Sequence, residues 1–436
     1  MPEEIILPFG TSEIAFKPPA GLHVQVAVPK TGQPLNLHAA TDSALANPFA
    51  SPPLVEMARR GQKVCIVFTD ATRDVPDEVL AGGMLAELAR AGVRPEDILL
   101  LCGVGMHRPS TPDEKLAKLG APIVSRYRVE DSRATVPSEL VELGEYDGIP
   151  LSVNRRAADA DLLLATGIVE PHQYAGFSGG RKTLAIGAGG EATIAATHSP
   201  AMIDRPGVRL GNIAGNPFHE AITESARRAG LRFIVNVLKD AAGRVVSVAA
   251  GEPTATFSTL VEAARPLYEC KVDRRFDIVV AGVGHPKDAN LYQASRAATY
   301  VHFAPEQVLK PGGVLIIPAP CEEGVGQGVG EQRFYETMRS QPTATAVLDS
   351  IRSRASQAGE QRAYMLAKVL QECRVIFVGT RCPEAVAACH MTAADDLDQA
   401  INLARTWTTS DADVLVVPHS LLTVLRRGDS AQACPS

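Results

Sequence analysis

The chain has 436 residues, 45% hydrophobic and 21% charged, enough to build cores in two or three domains and unlike a disordered or fibrous protein. Its formal net charge of -6 argues against a nucleic-acid binder, which carries a basic patch, and points to a small-molecule partner. No run of about 18 apolar residues offers a membrane span, the acidic start has no apolar leader core, and the eight cysteines form no C-x-x-C pair, so buried, reduced thiols in a cytoplasmic protein are expected.

Residues 1–60 hold short extended pieces, EIILPF, SEIAFKP and HVQVAVP, which suit a sheet edge. A helix follows in NPFASPPLVEMARRG, where proline and serine fit the first turn. From Lys63 apolar runs alternate with amphipathic segments: a strand KVCIVFTD, a helix over ATRDVPDEVLAGGMLAELARAG, a strand DILLLCGVG. That alternation predicts parallel strands covered on both faces. Ligands of such sheets lie beyond the carboxyl ends of the strands, where the first strand delivers Asp70, Ala71, Thr72 and Arg73 and the second delivers His107.

Strands IVSRYRV and ADLLLATG, with a hairpin-like polar region between them, lead to a third such end at Glu170 and His172. A helix AITESARRAG, strands RFIVNVLKD and VVSVAAG, and a helix TFSTLVEAARPLYEC follow. At 272–276 the strand–turn–helix pattern restarts, with strands DIVVAGVG, GGVLIIPAP, CRVIFVG and DVLVVPH and helices near 331–354 and 361–372. The pattern predicts an α/β protein of two doubly wound α/β domains, 1–271 and 272–436, with a frayed tail at 426–436.

The stretch 170–200 concentrates His172, Lys182 and His198 among glycines. Its tract GFSGGRKT (176–183) departs at one position from the phosphate-cradling loop G-x-x-x-x-G-K-[ST], because Arg181 stands where glycine belongs. ATP binding or hydrolysis by this degenerate loop is the alternative reading. A lysine crowded by backbone is partly desolvated and its amine becomes nucleophilic, so a covalent cofactor link at Lys182 is chemically open.

His107 and His172 lie at adjacent strand ends. Facing each other across a ligand, they would give one proton acceptor on each side, the requirement for inverting a carbon centre. A lone histidine is more often structural, which is the expectation for His23, His38, His302, His390 and His419. His198 could ligate a divalent transition metal as neutral imidazole, though no second protein ligand stands near it in sequence. The tract 70–73 suits either a phosphate at a helix N-terminus or an ordinary cap. In the second domain Gln293 and Arg296, three apart, would share a helix face and clamp a carboxylate; a solvated face is the bland alternative.

Taken in order, DATR (70–73), GMH (105–107), EPHQYAGFSGGRK (170–182), the THSP histidine His198, GNPFHE (215–220) and NLYQASR (290–296) resemble the nickel-pincer lactate racemase family over nearly the whole chain. The resemblance implies an active site in the cleft between a cofactor-binding domain, 1–271, and a C-terminal domain, 272–436, that closes it. It implies nickel within a nickel pincer nucleotide, pyridinium-3-thioamide-5-thiocarboxylic acid mononucleotide, tethered to Lys182 through a thioamide. His198 would be the one protein ligand of a square-planar S-C-S-N site, a geometry that suits Ni(II).

Likewise implied are His107 and His172 as acid/bases, contacts to cofactor from Asp70, Ala71, Thr72 and Arg73, and contacts to substrate from Arg73, Tyr292, Gln293 and Arg296. The implied activity is racemisation or epimerisation at C2 of a 2-hydroxy acid by reversible hydride transfer, with cofactor-synthesis proteins as partners. The lactate enzymes carry lysine three residues after the glutamine, where this chain has Arg296. Guanidinium and ammonium are not interchangeable in a tight pocket, so a larger 2-hydroxy acid or an aldonate is compatible.

Overall fold

The computed structural model describes residues 4–354, 357 and 359–428; Cys434 and the end of the expected frayed tail lie outside them. Two six-stranded sheets organise the chain. In the first, the strands run in the order Val245–Gly251, Leu231–Lys239, Leu162–Ile168, Val64–Thr69, Ile98–Gly103, Arg128–Asp131. All pairs are parallel except the outermost one at 231–251.

Side chains alternate between faces along each strand. Val64, Ile66 and Phe68 therefore meet Leu80, Met84 and Leu88 of the helix Asp77–Arg90, while Cys65 and Val67 share the opposite core with Phe257, Leu260 and Val261 of the helix Pro253–Tyr268. Burial on both faces is why these strands read as unbroken apolar runs.

The second sheet is wholly parallel, in the order Thr392–Ala394, Arg374–Val378, Leu309–Pro318, Phe276–Ala281, Asp413–Val417, His23–Val26. Ile278, Ile316 and Val414 face Leu397, Ile401 and Ala404 of the helix Leu397–Trp407. On the other face Val279, Leu315 and Leu415 pack with Tyr364, Leu366 and Ala367 of the helix Glu360–Glu372.

Local sequence misled at four places. The strand His23–Val26 pairs with Asp413–Val417, and Ile5, Leu7 and Phe16 of the preceding hairpin enter the second sheet's core. An edge strand joins whichever sheet offers a free edge, and its own residues do not say which. A helix Leu37–Ala46, capped by Asn36, stands between the extended pieces and the expected helix, and that expected helix keeps only Leu54–Met57. Residues Ala121–Arg126 are helical, started by Pro122 after Gly120, and of the expected strand only Arg128 and Val129 pair, within the strand Arg128–Asp131. The helices Pro383–Ala388 and Leu397–Trp407 are additions to the expected second domain.

Candidate active site

The first sheet reverses its direction of winding between two central strands. The chain proceeds from Val64–Thr69 outward to 98–103 and 128–131, then returns on the other side through Leu162–Ile168. The crevice beyond the carboxyl ends of these strands is a topological switch point, the usual ligand position in an open α/β sheet. Asp70, His107 and His172 all follow strands that end there.

Asp70 is buried, and its carboxylate accepts from the Thr72 amide at 3.2 Å and the Thr72 hydroxyl at 2.7 Å. This Asx turn, followed by Pro76, delays the helix to Asp77. The tract 70–73 is thus a turn before the helix, which corrects both the N-terminal phosphate site and the capping role expected for it. Asp77, 0% exposed, supports the turn from below. It meets Lys118 at 2.7 Å and accepts from the hydroxyls of Thr69 and Thr166, while Lys118 also donates to the carbonyls of Arg73 and Val75.

The other Asp70 oxygen lies 2.5 Å from His107 Nδ1. Burial opposes ionisation of Asp70, but His107, Thr72 and Arg73 outweigh it and hold the carboxyl at about 2. An ionised Asp70 keeps the proton on His107 Nδ1 and leaves Nε2 as a proton acceptor. His107 itself is exposed at the rim, where no ring contact joins it to His172 among the described residues. Ala71 and Thr72 present exposed side chains.

His172 stands on a two-residue hairpin, Pro171–His172 with Gly176–Phe177. Its Nδ1 accepts from the amides of Ala175 at 3.1 Å and Tyr174 at 3.3 Å, so in the neutral ring Nε2 carries the proton. Burial first, then Lys182, Arg73, Arg296 and His198, push its pKa well below the usual histidine value. The GNPFHE tract buttresses this corner: Asn216 caps the helix Pro217–Arg228 and donates to the Tyr174 carbonyl at 2.7 Å. Phe218 then packs 5.1 Å from the His198 ring and 6.2 Å from that of His172.

Lys182 ends a short helical turn that passes into a π-turn, Thr183–Gly187. This turn lies directly on the strand Ile98–Gly103. A Cβ on Gly103 would come 2.9 Å from the Thr183 carbonyl, so only glycine permits the approach. Burial, then Arg73 and Arg296, bring the Lys182 amine down to about 7 against the pull of Asp70.

His198 closes the helix Glu191–Thr197. Its Nδ1 lies 2.9 Å from the Ile194 carbonyl, which fixes the proton there and leaves the Nε2 lone pair free. Burial and Lys182 lower its pKa to about 4, so the ring is neutral, as a metal ligand must be. Among the described residues no group of three or more His, Cys, Asp or Glu is placed to hold a metal; a metal on His198 would take its remaining ligands from a bound molecule.

From the second sheet, Arg296 donates to the Tyr300 hydroxyl at 2.8 Å and to Gln293 Oε1 at 3.4 Å, and its Nε is buried without a partner. Gln293 and Arg296 fall on two successive helices, Leu291–Ala294 and Arg296–His302, rather than on one expected face. Tyr292 packs edge-on against Phe334 and beneath the Arg362 guanidinium. Arg362, 5% exposed, donates to Gln173 Oε1 and Thr299 Oγ1, both at 3.2 Å, and so ties the His172 hairpin to the second sheet's helices.

Arg362, Tyr174 and Lys287 were given no role from the sequence. Tyr174 and Lys287 had a signal, lying within EPHQY and just beyond an apolar strand; Arg362 had none. The phosphate-loop alternative loses its footing here, since 176–177 are paired in a hairpin and Arg181, 3% exposed, stacks on Phe257 at 4.0 Å and bonds Thr223.

Among the described residues no helix is long and apolar enough to cross a membrane. Residues 9–211 match the family described as the lactate racemase N-terminal domain, and residues 272–425 the lactate racemase C-terminal domain. The lactate racemase of Thermoanaerobacterium thermosaccharolyticum is 30% identical over 431 residues, 97% of this chain and 99% of that protein. That of Lactiplantibacillus plantarum is 32% identical over 391 residues, 88% and 90% of the two chains. The structure of the T. thermosaccharolyticum lactate racemase apoprotein superposes with a TM-score of 0.88 at 29% identity, covering 97% of this chain and all of that one. A Thermotoga maritima protein shares the fold with a TM-score of 0.69 at 19% identity over 92% of this chain and all of its own.

Proposed function

The chain belongs to the lactate racemase family, and from that premise we propose that it is an isomerase inverting C2 of a 2-hydroxy acid, with a nickel pincer nucleotide held on Lys182. The observation that carries this reading is the pairing of Lys182 with His198. Burial lowers both, the amine to about 7 and the ring to about 4, the charge of Lys182 acts on His198, and the amine forms no salt bridge among the described residues. An unpaired, partly neutral amine fits a covalent anchor, and a histidine with a free Nε2 fits a single ligand to a metal whose other donors are not protein.

When bound, the cofactor supplies an electrophilic carbon for reversible hydride acceptance. The chain's own residues do the rest. Gln293 and Arg296 bind the substrate carboxylate, and Arg73 with Tyr292 orients the hydroxyl. His107, its Nδ1 proton held by Asp70, takes the hydroxyl proton at Nε2. His172 meets the same oxygen from the other side; to accept a proton at Nε2 it must first move its own proton to Nδ1 and give up the amides of Ala175 and Tyr174, two bonds together worth about 1–3 kcal/mol. The alternating use of two faces is what inverts the centre.

The domain boundary is proposed near Val272, with residues 5–26 counted with the second sheet they join. Partners in this reading are the 2-hydroxy acid and the cofactor-synthesis proteins, in the cytoplasm. Replacement of the family's lysine by Arg296 favours an acid larger than lactate or an aldonate. Protein made together with the cofactor-synthesis proteins should carry one nickel and a mass adduct, the adduct lost in Lys182→Ala and the nickel in His198→Ala. His107→Ala and His172→Ala should each lower kcat about 10²–10⁴-fold on the acid found by polarimetry of a 2-hydroxy acid panel. Turnover by protein with neither nickel nor adduct would sink the proposal.

A further inference from the structure

Lys287 belongs to the body built on the second sheet, on a loop held by its own backbone bonds. Its own amide and that of Asp288 donate to the Gly284 carbonyl. Asp288, 0% exposed, accepts the Gly10 amide at 2.6 Å, and its carbonyl accepts the Cys321 amide. From this base the Lys287 side chain crosses to the first body, where Nζ lies 3.4 Å from the Thr72 carbonyl. A neutral carbonyl at that distance is a weak partner for an ammonium.

The surroundings make the charge costly. Arg73, Lys182, Lys287 and Arg296 gather at one crevice, and none of the four forms a salt bridge among the described residues. The carboxylates that act on Lys287 are Glu170 and Asp70, and Asp70 is committed to His107 and Thr72. Lys287 is half-buried, and desolvation first, then Arg296 and Arg73, lower its amine to about 7. Unpaired cations drawn together from both bodies describe a place where an anion belongs.

We propose that Lys287 is an anion-binding residue of the cleft, which carries an ammonium from the second body to a carboxylate or phosphate lying between the 70–73 turn and the helices at 291–302. Substrate and mononucleotide both bear such a group. The proposal rests on the racemase reading for the identity of those anions. Arrival of the anion restores the full charge, so binding above neutral pH draws a proton onto the protein and fastens the two bodies together.

The test uses full-length, cofactor-free protein titrated calorimetrically at pH 8 with nicotinamide mononucleotide and with lactate, in two buffers of different ionisation enthalpy. Wild-type protein should bind at least one probe with proton uptake. Lys287→Met should weaken that binding about tenfold or more and reduce the uptake to what Lys182 alone contributes. Lys287→Arg should keep most of the affinity with the same reduced uptake, since guanidinium is always charged, and this rescue separates anion binding from misfolding. A loss confined to the mononucleotide assigns the phosphate; a loss confined to lactate assigns the carboxylate. Unchanged affinity in Lys287→Met, or wild-type binding without proton uptake or no binding at all, overturns the proposal. Turnover is not read, so an inactive racemase leaves this outcome standing, and failure here leaves racemisation standing.

Discussion

Two lysines on opposite sides of the 70–75 turn live in opposite surroundings. Beneath it, Lys118 meets Asp77 at 2.7 Å and donates to Thr69, Arg73 and Val75, with Thr166 completing the carboxylate's bonds. Above it, Lys182 forms no salt bridge among the described residues and feels the repulsion of Arg73 and Arg296. The first arrangement closes on itself and holds backbone. The second is left open at a cost in stability, and groups kept in that condition mark the place where chemistry is done.

The contrast breaks most visibly at Asp77. Asp77→Ala strands a buried ammonium and should cost about 3–5 kcal/mol in urea unfolding, part of it recovered by adding Lys118→Met. A neutral Asp77→Ala would remove the lower network from the account. Asp70, at the boundary, comes next. Its folded pKa of about 2 lies below the ordinary 3.8, so its contribution is present above pH 3.8 and is lost as pH falls through 2. Asp70→Asn should therefore lose about 2 kcal/mol at pH 7, with the gap from wild type narrowing between pH 4 and 2 in a denaturation series.

The effect at Lys182 has the opposite sign. Lys182 is lowered from 10.5 to about 7, so its charge burdens the fold below pH 7 and the burden fades as pH rises to 10.5. Lys182→Met should stabilise the cofactor-free protein at pH 6.5, where the lysine carries its charge, and do almost nothing near pH 10.5. Thermal unfolding at the two pH values reads the difference; equal shifts at both would mean the lysine is not strained.

Periodicity revealed the central strands because burial on both faces demands unbroken apolar runs such as Val64–Thr69 and Leu162–Ile168. It also located Asp70, His107 and His172, since a strand end followed by polar residues needs no tertiary information. The helix start was misplaced because ATRD has cap-like residues, and the competing Asx turn depends on Asp70 staying buried and ionised beside His107. Arg362 was illegible for a similar reason: an arginine inside an amphipathic helix reads as surface until Gln173, 189 positions away in sequence, is brought against it.

By itself, then, the chain's order of residues determined which strands are central and which side chains wait at their ends. These follow from steric and hydrophobic rules acting over a few residues. Only the tertiary structure decided that His23–Val26 completes the second sheet, that His107 and His172 rest in different tautomers, and that Lys287 reaches across to Thr72. Each of these depends on which distant partner supplies a hydrogen bond or a charge, and such pairings exist only once the two bodies are packed together.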